Sequence, residues 1–186
     1  MNPIRIGILL SGTGRTLLNL LEQAKGGRLP AEIACVISDR EGVKGLEHAT
    51  AAELPSFVEP DSERTFSILR DHRVDLVCLA GYLRLLTIPE DFTGRVLNIH
   101  PALLPKFGGQ GMYGNNVHKA VLESGDAESG CTVHYCNGEY DEGPILLRRR
   151  VPVESGDTVD TLAQRVFEAE CEAYPEAIRN WIGTSI

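Results

Sequence analysis

The sequence predicts a single α/β domain: an open, twisted, mostly parallel sheet flanked by helices, with an antiparallel strand pair near the C-terminal end. Three observations predict it. Short apolar runs alternate with segments of helical period through the first half, the pattern of strand–helix–strand crossovers. One of these runs, Val74 to Ala80 (Val-Asp-Leu-Val-Cys-Leu-Ala), is apolar on nearly every position, as a strand covered on both faces should be. Beyond Gly130 the pattern changes to two strand-like runs joined by a connection rich in Gly and Asp.

The elements follow in order. Ile4 to Leu10 reads as a strand that ends in Ser11-Gly12-Thr13-Gly14. Leu17, Leu18, Leu20, Leu21 and Ala24 then recur at helical spacing until Gly26-Gly27 stop the helix. Ile33 to Ser38 is a second strand, Gly42 to Glu53 a second helix, and Pro55 to Val58 a short strand. Asp61-Ser62 opens a third helix carrying Phe66 and Leu69, and Val74 to Ala80 is the buried strand. Arg95 to His100 is another strand, followed by Pro101 to Pro105 and a glycine-rich loop reaching about Asn115. A short helix over Val117 to Glu123 precedes the antiparallel pair, Cys131 to Cys136 and Pro144 to Val153, joined across Asn137-Gly138. Asp157 is expected to cap a last helix with the stripe Val159, Leu162, Ala163, Val166, Ala169 and Ala173. Pro175 should break or bend that helix before Ile178 and Trp181.

Composition bounds the function. The chain has 186 residues, 42% of them hydrophobic and 24% charged, which is ordinary for one globular domain. With 18 Lys and Arg against 26 Asp and Glu, the net charge is −8, which argues against nucleic-acid or anionic-membrane surfaces. A local phosphate pocket built from backbone amides stays open. No apolar run approaches a membrane span. Met1-Asn2-Pro3 leads straight into the first strand without the layout of a signal peptide. Five cysteines with no Cys-x-x-Cys agree with a cytoplasmic address. Cys131, His134 and Cys136 are close enough to suggest a metal. On a strand, however, Cys131 points away from the other two, so no convergent set is expected.

Three segments carry chemistry. Ser11 to Thr16 joins a strand to a helix, where glycines allow a tight turn and free amides attract an anion. It lacks the third glycine of a dinucleotide fingerprint and the Lys of a triphosphate loop, so a small phosphomonoester suits it best, with a purely structural turn as the alternative. Asn98 and His100 share a side-chain direction at the end of a strand, where ligands of open α/β sheets bind. An amide N–H beside an imidazole suits a developing oxyanion, although a satisfied core histidine would look the same. Asp141 lies in a Gly- and Asp-rich turn that could return over the sheet end. Near His100 it would favour the imidazolium, unless burial outweighed it. His48, His72 and His118 lie on expected helices and carry no assigned role.

Ser11-Gly-x-Gly, Leu79-Ala-Gly-Tyr-Leu-Arg84, Leu97-Asn-Ile-His-Pro-x-Leu-Leu-Pro105 and Asp141-x-Gly-Pro144 together resemble the folate-dependent formyltransferase family, in the family's order and across essentially the whole chain. The N-terminal loop is similar to that of the purine-synthesis branch. The resemblance implies transfer of the formyl group of 10-formyltetrahydrofolate to the amine of glycinamide ribonucleotide. It also implies no metal and a monomer or homodimer. The N-terminal half is expected to hold the ribonucleotide, and the C-terminal half the folate and the chemistry. Carried over by position, Asn98, His100 (protonated) and Asp141 are the catalytic trio. Gly12, Gly14, Arg15, Thr16 and Glu170 would meet the ribonucleotide, and Arg64, Leu83, Arg84, Leu85, Leu86 and Asn98 the folate. Glu170 has independent support, because it sits beside Val166 and Ala173 on an apolar stripe. Arg15-Thr16 departs from the family's usual Ser-Asn. The loop Phe107 to His118 is long, and its glycines suggest a lid. A formyltetrahydrofolate hydrolase or another folate-dependent N-formyltransferase is the alternative within the family. A non-catalytic phosphoribosyl- or folate-binding module is the alternative from another class.

Overall fold

A computed structural model describes residues 3–185; Met1 and Asn2, read above as leading into the first strand, lie outside them. Seven strands form one sheet in the order β3-β2-β1-β4-β5-β6-β7. Strands β1 (Ile4–Leu10), β2 (Ala31–Ser38), β3 (Ser56–Val58), β4 (Leu76–Leu79) and β5 (Val96–His100) run parallel. β6 (Glu128–Tyr135) is antiparallel to β5, and β7 (Ile145–Pro152) is antiparallel to β6. The chain leaves β1 toward β2 and returns on its other side to β4, so the order reverses between β1 and β4. That switch point opens a crevice at the carboxyl ends of the strands.

Both sheet faces are covered, which explains the near-continuous apolar runs. On one face Ile6, Ile8, Cys78, Leu97 and Val133 pack with α1 (Arg15–Lys25) and α5 (Val159–Ser185) through Leu17, Leu20, Leu162, Val166 and Trp181. On the other, Leu9, Ile37, Val77 and Val96 pack with Phe66 and Leu69 of α3 (Ser62–Asp71) and with Phe92. The Asp61 carboxylate accepts from the Arg64 backbone N–H at 2.9 Å and caps α3. Two further helices, α2 (Lys44–Ala51) and α4 (Asn115–Ser124), complete the layers.

The structure departs from the sequence reading at the last helix in two ways. Its cap is Thr158, whose Oγ1 accepts from the Thr161 N–H at 3.2 Å. Asp157, one residue too early, binds the Glu154 N–H at 2.7 Å and the Arg165 guanidinium at 2.6 and 3.0 Å instead. Nor does the helix break: α5 continues through Pro175. A proline has no N–H for the carbonyl four residues back, here that of Cys171. The Asn19 side chain donates to that carbonyl at 3.0 Å, so α1 supplies the missing partner. Tyr174, fully buried beside this position, places its hydroxyl 3.0 Å from the carbonyls of both Leu79 and Leu97, tying α5 to the ends of β4 and β5.

Candidate active site

A cavity of about 730 Å³ lies over the carboxyl ends of β1, β4 and β5. One wall is the turn Ser11–Gly14 with the start of α1. Gly14 is left-handed (φ 74°), and a Cβ there would stand 2.6 Å from the Gly45 Cα, so only glycine lets the turn pass α2. Ser11 Oγ accepts from the Leu83 N–H at 2.9 Å, and the Ser11 N–H donates to the Gly81 carbonyl at 3.1 Å. These bonds clamp the turn to the segment after β4. Gly12, Gly14, Arg15 and Thr16 all face the cavity.

Arg15 leans across to α5. Its guanidinium stacks 3.6 Å from the Phe167 ring centroid and donates to Gln164 Oε1 at 2.9 Å. One turn further along α5, Glu170 lines the same cavity. Burial pushes its carboxyl up to about 8, and the Arg15 charge pulls it down only in part. Leu83, Arg84, Leu85 and Leu86, in the segment clamped to that turn, line a largely apolar stretch of the cavity. Arg64 is exposed on α3 and is not among the cavity's lining residues.

The sheet end supplies the polar centre. Asn98 and His100 project from the same face of β5, and the antiparallel register sets Asn98 opposite His134 and His100 opposite Thr132. Thr132 Oγ1 donates to the Ala102 carbonyl at 2.7 Å and accepts from the Leu104 N–H at 3.1 Å, which pins the segment after His100 to β6. Asp141 is brought back by the β6–β7 connection. A Cβ on Gly143 would fall 1.6 Å from the Tyr135 carbonyl oxygen, so this connection can lie against β6 only with glycine there. Asp141 Oδ2 accepts from the Gly109 N–H at 3.0 Å and lies 3.4 Å from His100 Nδ1. Its Oδ1 accepts from Asn98 Nδ2 at 3.3 Å and lies 3.5 Å from His134 Nε2. His100 Nε2 donates to the Phe107 carbonyl at 2.7 Å. Both Asp141 (φ 59°) and Phe107 (φ 58°) are held in the left-handed region. Such conformations cost about 1–3 kcal/mol each and persist where surrounding contacts impose them.

The charges at this centre are coupled. Burial pushes the His100 imidazole below its ordinary range, against the pull of Asp141 and the Phe107 carbonyl, and His134 adds to the lowering. The sequence reading expected a protonated His100; burial outweighs the pairing, and the neutral ring is favoured at pH 7. Burial works against the Asp141 carboxylate too, but His134, the His100 charge and the Gly109 N–H together hold it below its ordinary value.

Two histidines of the cavity have no assigned role in the sequence reading. His134 was weighed only as a metal ligand. His118 was set aside as a helix residue, yet it is 5% exposed and lines the cavity from α4. The apolar partners Val117 and Val121 on the same helix were its available signal. Among the described residues no group of three or more His, Cys, Asp or Glu could hold a metal ion. Cys131 packs on one sheet face and Cys136 against the other.

The chain belongs to the formyl transferase family, whose model matches residues 4–178. Within that family it is similar to glycinamide ribonucleotide enzymes of purine synthesis. It is 36% identical to the phosphoribosylglycinamide formyltransferase of Haemophilus influenzae, over 94% of this chain and 85% of that one. It superposes on the glycinamide ribonucleotide transformylase 1 of Symbiobacterium toebii with a TM-score of 0.88 at 42% identity, covering 96% of this chain and 87% of that one. It is also 41% identical to part of the trifunctional purine biosynthetic protein adenosine-3 of Gallus gallus, but spans only 18% of that larger protein.

Proposed function

We propose that this cavity transfers the formyl group of 10-formyltetrahydrofolate to the amine of glycinamide ribonucleotide, as a metal-free enzyme of the cytoplasm. The observation that carries the reading is the close cluster of Asn98, His100 and Asp141 between an amide-lined turn and an apolar wall. An amide-lined turn suits the ribosyl phosphate. The wall at Leu83–Leu86 suits a pterin, and Glu170 suits the ribose hydroxyls. Both subsites draw on both halves of the chain: Leu83–Leu86 come from the first half, Glu170 from the second. Arg64 has no part in this assignment.

The amine attacks the formyl carbon, and the carbonyl oxygen of the formyl group takes up the electron pair. The Asn98 amide through an N–H, and His100 through its charge, stabilise that oxyanion. The negative charge developing beside His100 opposes the effect of burial and favours the imidazolium at that moment. Asp141 keeps the ring oriented and accepts the amine's proton through water. Collapse of the adduct breaks the bond to folate N10, which is protonated as it leaves.

The test follows 10-formyltetrahydrofolate consumption with glycinamide ribonucleotide, with its dephosphorylated riboside, and with water alone. Rapid turnover with the ribonucleotide only is expected. Equal rates in all three would overturn the transferase reading and favour a hydrolase; no turnover in any would favour a binding module.

A further inference from the structure

We propose that His134 is a positioning residue for Asn98: the proton on its Nε2 decides which end of the Asn98 amide faces the cavity. This rests on the formyl-transfer reading for its consequence, but not for its geometry. His134 is 1% exposed, directly opposite Asn98 in the β5–β6 register. Its Nδ1 lies 2.9 Å from the Tyr135 carbonyl oxygen. A carbonyl can only accept, so Nδ1 carries a hydrogen, and Nε2 is the nitrogen whose proton is free to change.

Nε2 lies 3.1 Å from Asn98 Nδ2. When the ring is neutral, Nε2 accepts from the amide NH₂, and the second amide hydrogen goes to Asp141 Oδ1 at 3.3 Å. Both donors of Asn98 are then spent inward, and only its carbonyl remains for a ligand. When Nε2 is protonated, two donors face each other and that arrangement fails. The amide turns over and gives up its bond to Asp141: its carbonyl accepts from Nε2–H, and its NH₂ is released to the cavity. A tetrahedral oxyanion needs a donor and is repelled by a carbonyl. The protonated ring thus sets up the form of Asn98 that assists formyl transfer.

Titratable groups surround His134. Asp141, from the β6–β7 connection, lies 3.5 Å from Nε2. His100, on β5, lies 3.4 Å from the other oxygen of that carboxylate. Cys136, at the end of the strand bearing His134, is pushed up to about 12 by burial, then by Asp141, and stays a neutral thiol.

Two measurements test the proposal. In ¹⁵N-labelled wild-type protein, the Asn98 side-chain NH₂ resonances should move with the same pH midpoint as His134 Nε2, while Nδ1 stays protonated. Asn98 resonances that ignore the His134 midpoint would overturn the idea. This measurement needs no substrate, so it separates failure of the proposal from failure of the transferase reading. The second is a kinetic cycle with His134→Gln, which places an amide where Nε2 stands but holds no charge. It should lower kcat by ~10- to 100-fold with both KM values nearly unchanged. In an Asn98→Ala background it should cost less than about twofold more, because its route to the reaction is already gone. Multiplicative losses in the double variant, with melting temperatures unchanged, would show that His134 acts on something other than Asn98.

Discussion

The two ends of the cavity are built differently. At the Ser11–Thr16 end, the groups facing the acceptor belong mainly to one continuous turn, and the left-handed backbone falls on Gly14. At the Asn98 end, the polar groups come from β5, β6 and the β6–β7 connection, and left-handed backbone falls on Phe107 and Asp141, which carry side chains. A turn of the first kind is specified by local sequence and costs little strain. A cluster of the second kind exists only when three segments are in register, and it stores strain where charge must be handled. On the proposed reading, binding of the phosphate would be a local property of the chain, and chemistry a property of the assembled sheet.

The sharpest way to break that contrast is to remove a member of the assembled cluster. His100→Ala or Asn98→Ala should lower kcat by about 10²-fold or more, with smaller changes in either KM, because both act on charge present only in the transition state. Steady-state kinetics would check this, and a rise in KM at unchanged kcat would move these residues into ground-state binding. Asp141→Asn keeps the shape and removes the charge. It should slow the reaction and drop the His100 midpoint further below its ordinary value, as read by NMR titration. An unchanged His100 midpoint would refute the pairing across 3.4 Å.

At the other end, the acceptor's phosphate should matter although it is remote from the amine. The dephosphorylated riboside should lose about 10²-fold in kcat/KM, since phosphate binding energy holds the nucleophile against the formyl carbon. Inorganic phosphate should compete with the ribonucleotide and not with folate in inhibition kinetics. Competition with folate would merge the two ends into one subsite.

The same contrast explains what was legible beforehand. The strands β1 and β4 announced themselves because both faces are buried, and the turn before α1 because its left-handed position falls on Gly14. Asn98 and His100 were legible as a pair because alternation along one strand is fixed by geometry. His134 was not, because facing Asn98 depends on a cross-strand register that alternation leaves undetermined. The passage of α5 through Pro175 was likewise hidden: Asn19, which supplies the missing hydrogen bond to Cys171, is 152 residues away in sequence.

Arg15 gives a smaller effect. Stacked on Phe167 and bonded to Gln164, it is held beside the acceptor end with part of its guanidinium unpaired. Arg15→Ala should raise the ribonucleotide KM by roughly tenfold or less, in line with an exposed charge contact, and leave the folate KM unchanged. Equal rises in both KM values would place Arg15 in the common scaffold of the cavity.

The last expected effect is on stability, and its sign is set by Glu170. Burial raises its carboxyl from an ordinary 4.5 to about 8 in the folded protein. Between those values the unfolded chain has released the proton and the folded chain keeps it. The unfolded state therefore binds fewer protons, and this group makes stability fall as pH rises through that window, with no contribution to the slope below or above it. Glu170→Gln removes the titration at nearly constant shape. Its melting temperature relative to wild type should therefore climb from pH 5 to pH 8, each kcal/mol appearing as roughly 2–4 °C for a chain of this size. Glycinamide ribonucleotide should flatten that climb, because ribose hydroxyls donating to the carboxylate favour its charged form and bring its pKa down. A folate ligand should leave it steep. If folate flattened the climb and the ribonucleotide did not, Glu170 would belong to the wrong end of the cavity, and the division between a local phosphate end and an assembled catalytic end would have to be redrawn around it.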